Sequence, residues 1–359
     1  MITISVCMIV KNEEAVLARA LDCLQGIADE IVIVDTGSTD RTKEIAARYT
    51  DRIFDFVWVD DFAAARNFAF SKATKEYIYS ADADEVIEPA EQEKFRRLKQ
   101  VLDPRIEIVQ MFYTNQLQFG TTYNFDEELR PKLYRRLREF VWEEPVHEAV
   151  RLNPVIYDSD IRIKHMPLSN HAGRDFAVFR KEIARKGTLS EKLTGMYARE
   201  LFMAGAAEDF AEAVSFFQAK AEECKDESML KKCQCVLVRA AVQTGNTNLL
   251  LQNAMKQAVM GQPSSEVCFD LGEYFLQAGD IYEAILWYYN ALYETEPEIS
   301  LAAGGADPAK RLAECYRKLG DTVQQEHYEK VMKEVSAHDY LGKCDECSKA
   351  VPDDSSMGK

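Results

Sequence analysis

The sequence lacks any long uninterrupted run of apolar residues. Charged residues interrupt every apolar stretch before it reaches the roughly 18–20 residues of a membrane-spanning helix. The N-terminus also lacks a basic segment followed by an apolar block, because charged residues begin at Lys11, and an export signal is therefore not predicted. These two absences predict a soluble, cytoplasmic protein without a membrane span.

The sequence has fewer basic than acidic residues. Lys and Arg total 44 against 60 Asp and Glu, which gives a formal net charge of −16 over 359 residues. Nucleic-acid-binding domains carry clustered Lys and Arg, so this balance argues against a nucleic-acid partner. Hydrophobic residues make up 47% of the chain, which is enough for packed cores and too much for a disordered protein.

The nine cysteines show no disulfide framework. Their odd count and irregular spacing fit free thiols in a reducing compartment. Cys344 and Cys347 have the spacing of metal ligands, but His338 is the sole histidine near them, too few groups for a four-ligand zinc site. Residues 341–359 contain Pro352, Asp353-Asp354 and Ser355-Ser356, a composition that predicts a disordered acidic tail.

The first 114 residues alternate between strand-like and helix-like patterns. Strand, helix, strand and helix in succession predict a parallel α/β sheet, which binds ligands at the carboxyl ends of its strands. A helix N-cap is expected at Ser38 or Thr39, because such side chains accept hydrogen bonds from the first helical N–H groups. The predicted strands are 2–10, 31–34, 53–59 and 77–81, and the predicted helices are 14–24, 38–49 and one starting near Phe62.

From about residue 175 the pattern is helical only. Gly245 and Gly279 are 34 residues apart, which is the length of a tetratricopeptide repeat. Gly205 and Gly320 belong to two less regular copies of the same small-residue pattern. The alternative is a series of generic helical hairpins. The predicted organisation is an α/β domain over 1–172, a helical linker over 173–194 and a helical repeat domain over 195–340.

The strongest chemical signal follows the fourth predicted strand. Asp82 and Asp84, in Ser80-Ala81-Asp82-Ala83-Asp84-Glu85, stand two residues apart at a strand end. Carboxylates in that position can bind Mg²⁺ or Mn²⁺, which take one or two of them and complete their shell with substrate phosphates. An acidic loop before the next helix is the alternative.

Further segments at strand ends complete a family pattern. The order "MIVKNEE", "EIVIVDTGSTDRT", "DFAAARNFA" and "DADEV" resembles the family 2 glycosyltransferases, which have the GT-A fold. The later "RPKLYRR" and "PVHEAV", joined to tetratricopeptide-like helices, are similar to the bacterial branch that glycosylates flagellin and bacteriocin peptides. The resemblance covers about 1–170 and, as repeat architecture, 195–335. It implies a Rossmann-like mixed sheet followed by an all-α repeat domain.

The resemblance implies a role for each residue at the strand ends. Asp84 would ligate Mn²⁺ or Mg²⁺, and Asp82 would face the metal or the ribose. His165 could supply a third metal ligand, with a structural role as the alternative. Arg66 would lie near the diphosphate, where a guanidinium fits phosphate oxygens. Asp35 would contact the base or ribose. The remaining expected nucleotide contacts are Val10, Asn12 and Glu13.

A glycosyl transfer also needs a base that takes the proton of the acceptor. The resemblance points to His147 and Glu148, with Glu148 as the base and His147 as its alternative. Lys132, in a basic segment that precedes this pair, would bind the diphosphate or an acidic acceptor, or would face solvent. Ser80 departs from the family, since many relatives carry an aromatic residue and a leucine before Asp-Ala-Asp, where this chain has Tyr79-Ser80-Ala81.

The function that follows is an inverting, metal-dependent transfer of a hexose from a nucleotide sugar, expected to be UDP-linked, to a peptide or protein. The acceptor would engage the helical repeats, whose exposed face would also allow a homodimer. Alternatives are a saccharide or lipid-linked acceptor, a binding protein with a vestigial catalytic half, and a sugar nucleotidyltransferase. The last normally has a glycine-rich phosphate loop, and Val10-Lys11-Asn12-Glu13 has no glycine.

Overall fold

The structure is a computed structural model that describes residues 1–114, 127–136, 142–143, 149–150, 154–166, 172–261 and 263–341. The chain divides into two compact units, Met1–Tyr197 and the residues from Ala198 onward. The first unit is built on a mixed sheet and the second is helical.

The first unit contains an eight-stranded sheet in the order β3-β2-β1-β4-β7-β6-β10-β5. Strands β3, β2, β1 and β4 are parallel, β7 is antiparallel to both of its neighbours, and β10 is parallel to β6. Strands β8 and β9 form a separate pair. The ten strands are β1 Ile4–Val10, β2 Glu30–Asp35, β3 Ile53–Asp55, β4 Tyr77–Ala81, β5 Glu85–Val86, β6 Ile108–Thr114, β7 Glu128–Arg135, β8 Trp142–Glu143, β9 Ala149–Val150 and β10 Ile156–His165.

Helices pack on both faces of the sheet because its central strands are apolar on both sides. Successive side chains of β1 point to opposite faces: Val6 and Met8 join one buried cluster, and Cys7 joins the other. The first cluster includes residues of α1, α2 and α4, and the second includes residues of α3. The helices of this unit are α1 Leu17–Cys23, α2 Thr42–Ala46, α3 Phe62–Lys72, α4 Pro89–Val101 and α5 Ala172–Lys186, and α6 Glu191–Ala204 contains the boundary between the units.

The predicted alternation of strands and helices up to β4 is confirmed, and the bounds of β4 agree with the prediction. The expected N-cap at Ser38 or Thr39 is wrong, because α2 begins at Thr42. Ser38 Oγ instead accepts a hydrogen bond from the N–H of Asn12 at 2.9 Å, and the N–H of Thr39 donates to Asn12 Oδ1 at 2.8 Å. These polar residues therefore join the loops after β1 and β2.

The third strand is shorter than its apolar pattern predicts. It ends at Asp55 rather than at residue 59, and Val57 and Val59 are exposed. Strand β3 lies at the edge of the sheet and pairs with β2, whose last residue, Asp35, lies opposite Asp55. The apolar side chains after Asp55 therefore belong to a loop.

The second unit consists of helical hairpins. Gly245, Gly279 and Gly320 have φ angles of 69°, 85° and 78°, the left-handed conformation that glycine adopts at helix ends. Each lies between the two helices of a hairpin, as the repeat pattern predicts. Gly272 serves packing instead, because a Cβ atom there would lie 2.5 Å from the ring of Tyr288. The helices are α7 Ala207–Glu223, α8 Glu227–Thr244, α9 Thr247–Met260, α10 Ser265–Gln277, α11 Ile281–Tyr293, α12 Ala306–Leu319 and α13 Thr322–Leu341, with a 3₁₀ helix at Leu301–Gly304.

Among the described residues, no helix combines the length and the apolar character that a membrane span requires.

Candidate active site

The topology of the sheet brings the acidic motif next to residues far away in sequence. Strand β4 ends at Ala81, and β1, β7 and β10 supply the neighbouring positions at the same edge. The following turn is closed by a 3.2 Å hydrogen bond from the N–H of Glu85 to the carbonyl of Asp82. Glu85 then pairs with His165 at the end of β10. We call the carboxyl ends of β1, β2, β4 and β10 the rim.

Asp84 and His165 face each other across the rim. Asp84 Oδ2 lies 3.2 Å from His165 Nε2. The backbone fixes this approach on both sides, since β5 pairs with β10 and the N–H of Met166 donates to the carbonyl of Asp84 at 2.9 Å. The side chains of Asp84 and His165 are 19% and 17% exposed, so both are partly accessible to solvent.

An aromatic stack supports the imidazole. The ring of Tyr113 lies 5.3 Å from the ring of His165, and the guanidinium of Arg130 lies 4.1 Å from the centre of the Tyr113 ring. A cation over an aromatic face is a favourable arrangement. Burial raises the pKa of the Tyr113 hydroxyl well above its usual value, so Tyr113 is neutral in this stack.

Asp82 contacts two cations. Its Oδ1 lies 3.5 Å from Arg66 Nη2, and its Oδ2 lies 3.4 Å from Lys132 Nζ. Arg66 also donates a 2.5 Å hydrogen bond to Ser80 Oγ, so the serine that departs from the family pattern has a partner. Burial by itself raises the pKa of Asp82, but Lys132 and Arg66 outweigh burial and hold that pKa well below its usual value.

The third carboxylate of the motif, Glu85, is buried, and our sequence reasoning gave it no role. Its Oε1 forms an ion pair with Lys132, and its Oε2 lies 3.5 Å from the hydroxyl of Tyr79. Burial raises the pKa of Glu85, Lys132 opposes the rise, and the charges of Asp82 and Asp84 add to it. The sequence signal was an acid directly after Asp-Ala-Asp and a lysine in the strand beside it.

Asp35 lies at the other end of the rim, as the last residue of β2. It is 2% exposed at the end of β2, and its Oδ2 accepts hydrogen bonds from the N–H groups of Gly37 and Ser38, both at 3.0 Å. Its Oδ1 is buried and has no hydrogen-bond partner among the residues that the structure describes. A buried acceptor without a donor is costly, and a ligand hydroxyl or N–H group would satisfy it.

The other expected nucleotide residues lie beside Asp35. Val10 pairs with Asp35 in the parallel ladder. Asn12 has a φ of 58°, and its Oδ1 accepts from the N–H of Thr39, so its side chain braces the loop. The N–H of Glu13 donates to Thr42 Oγ1 at 2.7 Å. Their expected contacts with a nucleotide stay predictions.

The donor atoms at the rim fit a hard divalent cation. Asp84 and His165 offer one carboxylate oxygen and one imidazole nitrogen, which suit Mn²⁺. Within the described ranges, no group of three or more His, Cys, Asp or Glu residues has the arrangement of a metal site. Two protein ligands with substrate phosphates and water completing the shell are the arrangement that Mg²⁺ commonly has.

The residues expected to act as the base, His147 and Glu148, lie outside the described residues, as do Cys344 and Cys347. The structure therefore assigns no position to them, and their roles stay predictions.

Comparisons with known proteins show the family to which the chain belongs. The model of the family described as "Glycosyl transferase family 2" matches residues 5–186, just over half of the chain. A TPR repeat-containing protein of Synechococcus elongatus is 33% identical over 150 residues, covering 42% of this chain and 36% of that protein. The glycosyltransferase SunS of the Bacillus subtilis SPbeta prophage is 32% identical over 103 residues, covering 28% of this chain and 24% of SunS.

The chain thus spans only about a third or less of these relatives' lengths. Among solved structures, glucosyl-3-phosphoglycerate synthase from Mycobacterium tuberculosis, in complex with Mg²⁺ and UDP, is 16% identical. It covers 53% of this chain and 81% of its own, with a TM-score of 0.38, which is too low for an inference of shared detail. The family resemblance read from the sequence is confirmed by the match over residues 5–186. The chain belongs to glycosyl transferase family 2 and joins its α/β domain to a series of helical hairpins.

Proposed function

We propose that the protein is an inverting, metal-dependent glycosyltransferase that moves a hexose from a UDP-linked sugar to a peptide or protein. The observation that carries the proposal is the Asp84–His165 pair at the rim, 3.2 Å apart and open to solvent. Family membership supports the type of reaction. A UDP-linked donor is part of the proposal, and the buried Oδ1 of Asp35 is an acceptor available to the base or ribose of the nucleotide.

Residues at both ends of the rim would contribute to donor binding. Asp35 Oδ1 would accept a hydrogen bond from the base or ribose, and Arg66, at the edge of the acidic motif, would add positive charge near the diphosphate. Asp84 and His165 would hold the cation, which supplies Lewis acidity that neutralises the departing nucleotide. The donor would then be fixed at both of its ends.

The transfer itself is a single displacement. The acceptor oxygen or sulfur forms a bond to the anomeric carbon as the bond to the nucleotide phosphate breaks, and a carboxylate base takes the acceptor proton. Glu148, with His147 as the alternative, is the proposed base. Attack from the face opposite the nucleotide inverts the anomeric configuration.

The helical unit supports the choice of a peptide or protein acceptor. Stacked hairpins form extended surfaces on which a polypeptide can bind, and one relative is named for its TPR repeats. A homodimer through the same unit and a cytoplasmic location stay predictions.

The proposal is tested by incubating the full chain with a panel of nucleotide sugars and Mn²⁺ and measuring free nucleotide. We expect release from one UDP-sugar, loss of release with a chelator, and a gain of one hexose mass on a peptide or protein of a cell extract. Proton NMR of the product should show the anomer opposite to that of the donor. Failure of every donor, with no protein gaining hexose mass, would contradict the proposal.

A further inference from the structure

Lys132 lies beneath the rim rather than on it. Its side chain is 7% exposed, and its ammonium contacts three acceptors: the carbonyl of Ser80 at 3.3 Å, Asp82 Oδ2 at 3.4 Å, and Glu85 Oε1 in an ion pair. A lysine ammonium has three N–H donors. Each donor of Lys132 thus has an acceptor within the protein, and none is left for a substrate phosphate.

The contacts of Asp82 differ from those of Asp84. The two oxygens of Asp82 lie 3.5 Å and 3.4 Å from Arg66 and Lys132, whereas Asp84 turns Oδ2 toward His165. Within the described part of the chain, no hydrogen bond or ion pair joins Asp82 to His165. The two aspartates of the motif therefore face different partners, although one residue separates them.

Glu85 connects these two halves of the motif. Its backbone pairs with His165, and its 4%-exposed side chain holds the ammonium of Lys132. Lys132 therefore cannot turn outward without leaving a buried carboxylate unpaired, which is costly. The position of Asp82 is fixed through Lys132 to the strand that carries His165.

We propose that Lys132, anchored by Glu85, is a positioning residue that holds the Asp82 carboxylate away from the cation bound by Asp84 and His165. This inference rests on the proposed function, because it concerns the same cation. It replaces the expectations that Lys132 contacts the diphosphate and that Asp82 ligates the metal. Lys132 acts on the cation site through Asp82 rather than by contacting the donor.

The test compares the Mn²⁺ affinity of the full-length wild-type protein with that of K132M, D82N and D82N/K132M, measured by electron paramagnetic resonance of free Mn²⁺ without nucleotide. Lys132 is one of the two cations that contact Asp82. Its removal lets the Asp82 carboxylate turn toward the bound cation, so K132M should bind Mn²⁺ at least about fivefold more tightly. D82N should change the affinity less than about threefold, and the double variant should match D82N, because the effect of Lys132 requires the Asp82 carboxylate.

Two controls separate positioning from loss of folding. K99M removes another buried lysine, whose Nζ lies 2.6 Å from Asp29 and donates to the carbonyl of Ile27; it should lower the melting temperature and leave the Mn²⁺ affinity unchanged. D84N should weaken Mn²⁺ binding at least about tenfold. Where K132M does not fold, Mn²⁺ binding by D82N that is as weak as binding by D84N still overturns the proposal, because Asp82 would then ligate the cation.

A wild-type protein that binds no Mn²⁺ would contradict the proposed function. A wild-type protein that binds Mn²⁺, with K132M no tighter or D82N as weak as D84N, would overturn the positioning role alone. Tighter binding by K132M that disappears in the double variant is the result expected.

Discussion

The two units of the chain use buried acidic residues in different ways. On α10, Glu266 accepts hydrogen bonds from the N–H groups of Glu298, Ile299 and Ser300 at 2.7–3.1 Å, and its side chain is fully buried. At the rim, Asp84 is partly exposed, and its contacting oxygen faces a histidine. The first arrangement is complete within the protein, whereas the second can take a ligand.

Two further acids of α10 also have partners on other helices, although Asp270 Oδ2 has no hydrogen-bond partner among the described residues. Asp270 pairs with Arg239 of α8, and Glu273 accepts from the Tyr288 hydroxyl at 2.6 Å and pairs with Arg311 of α12. Burial raises the pKa of Asp270 to about 7, although Arg239 opposes the rise. Asp270 thus joins α10 to α8, and Glu273 joins α10 to α11 and α12. A perturbed acid is therefore an indication of a functional site only where its partners leave it accessible.

The largest effect is expected from D84N at the rim. The variant removes a carboxylate charge from the proposed cation site, and kcat/KM for nucleotide release with Mn²⁺ should fall at least about a hundredfold. The melting temperature should change little, because Asp84 is accessible to solvent. Turnover close to that of the wild type would contradict the claim that Asp84 binds a ligand, unlike the buried acids of the helical unit.

A second, smaller effect is expected from E266Q on α10. The neutral amide presents N–H donors to backbone N–H groups that now bond to a carboxylate, so the free energy of unfolding should fall by about 2 kcal/mol. Urea denaturation measures this change. Activity per folded molecule should stay the same. A loss of activity without a loss of stability would contradict the claim that Glu266 serves only the fold.

E227Q is the matched control for that variant. Glu227 begins α8 and is 63% exposed in its ion pair with Lys231. Exposed ion pairs contribute little, so the free energy of unfolding should change by less than about 0.5 kcal/mol.

The smallest effect concerns Glu30, an acid with internal partners in the α/β unit. Burial opposes the charge, but hydrogen bonds from Ser5 and Thr74 and the nearby Arg52 hold the pKa of Glu30 below its ordinary value of 4.5. The carboxylate therefore stabilises the fold above about pH 4.5, and this contribution is lost as the pH falls further.

E30Q tests this dependence. Between about pH 6 and about pH 3.5, the free energy of unfolding should fall less in E30Q than in the wild type, as measured by urea denaturation. An equal fall in both proteins would show that Glu30 gains no charge stabilisation on folding.

Much of the architecture could be predicted from local sequence. The bounds of β4 follow from a short apolar run, and the hairpin turns of the second unit follow from glycines such as Gly245 and Gly279, whose backbone conformation other residues avoid. The family pattern also predicted that Asp84 and His165 lie together, although 81 positions separate them.

The rest depends on contacts between distant segments. Ser38 and Thr39 have the character of N-caps, yet their hydrogen bonds go to Asn12. Lys132 belongs to a basic segment that would suit a phosphate, but the antiparallel pairing of β7 with β4 brings it to Glu85 and Asp82. Residue type gives the charge of a side chain, whereas strand order decides which charge it meets.

The central claim is that the Asp84–His165 pair holds a cation on which a nucleoside diphosphate binds. The most direct test is isothermal titration of UDP into the wild-type protein with Mn²⁺ and with a chelator. We predict binding at least about tenfold tighter with Mn²⁺, and no such gain in D84N. Equal UDP affinity with and without Mn²⁺, or an unchanged gain in D84N, would contradict the account.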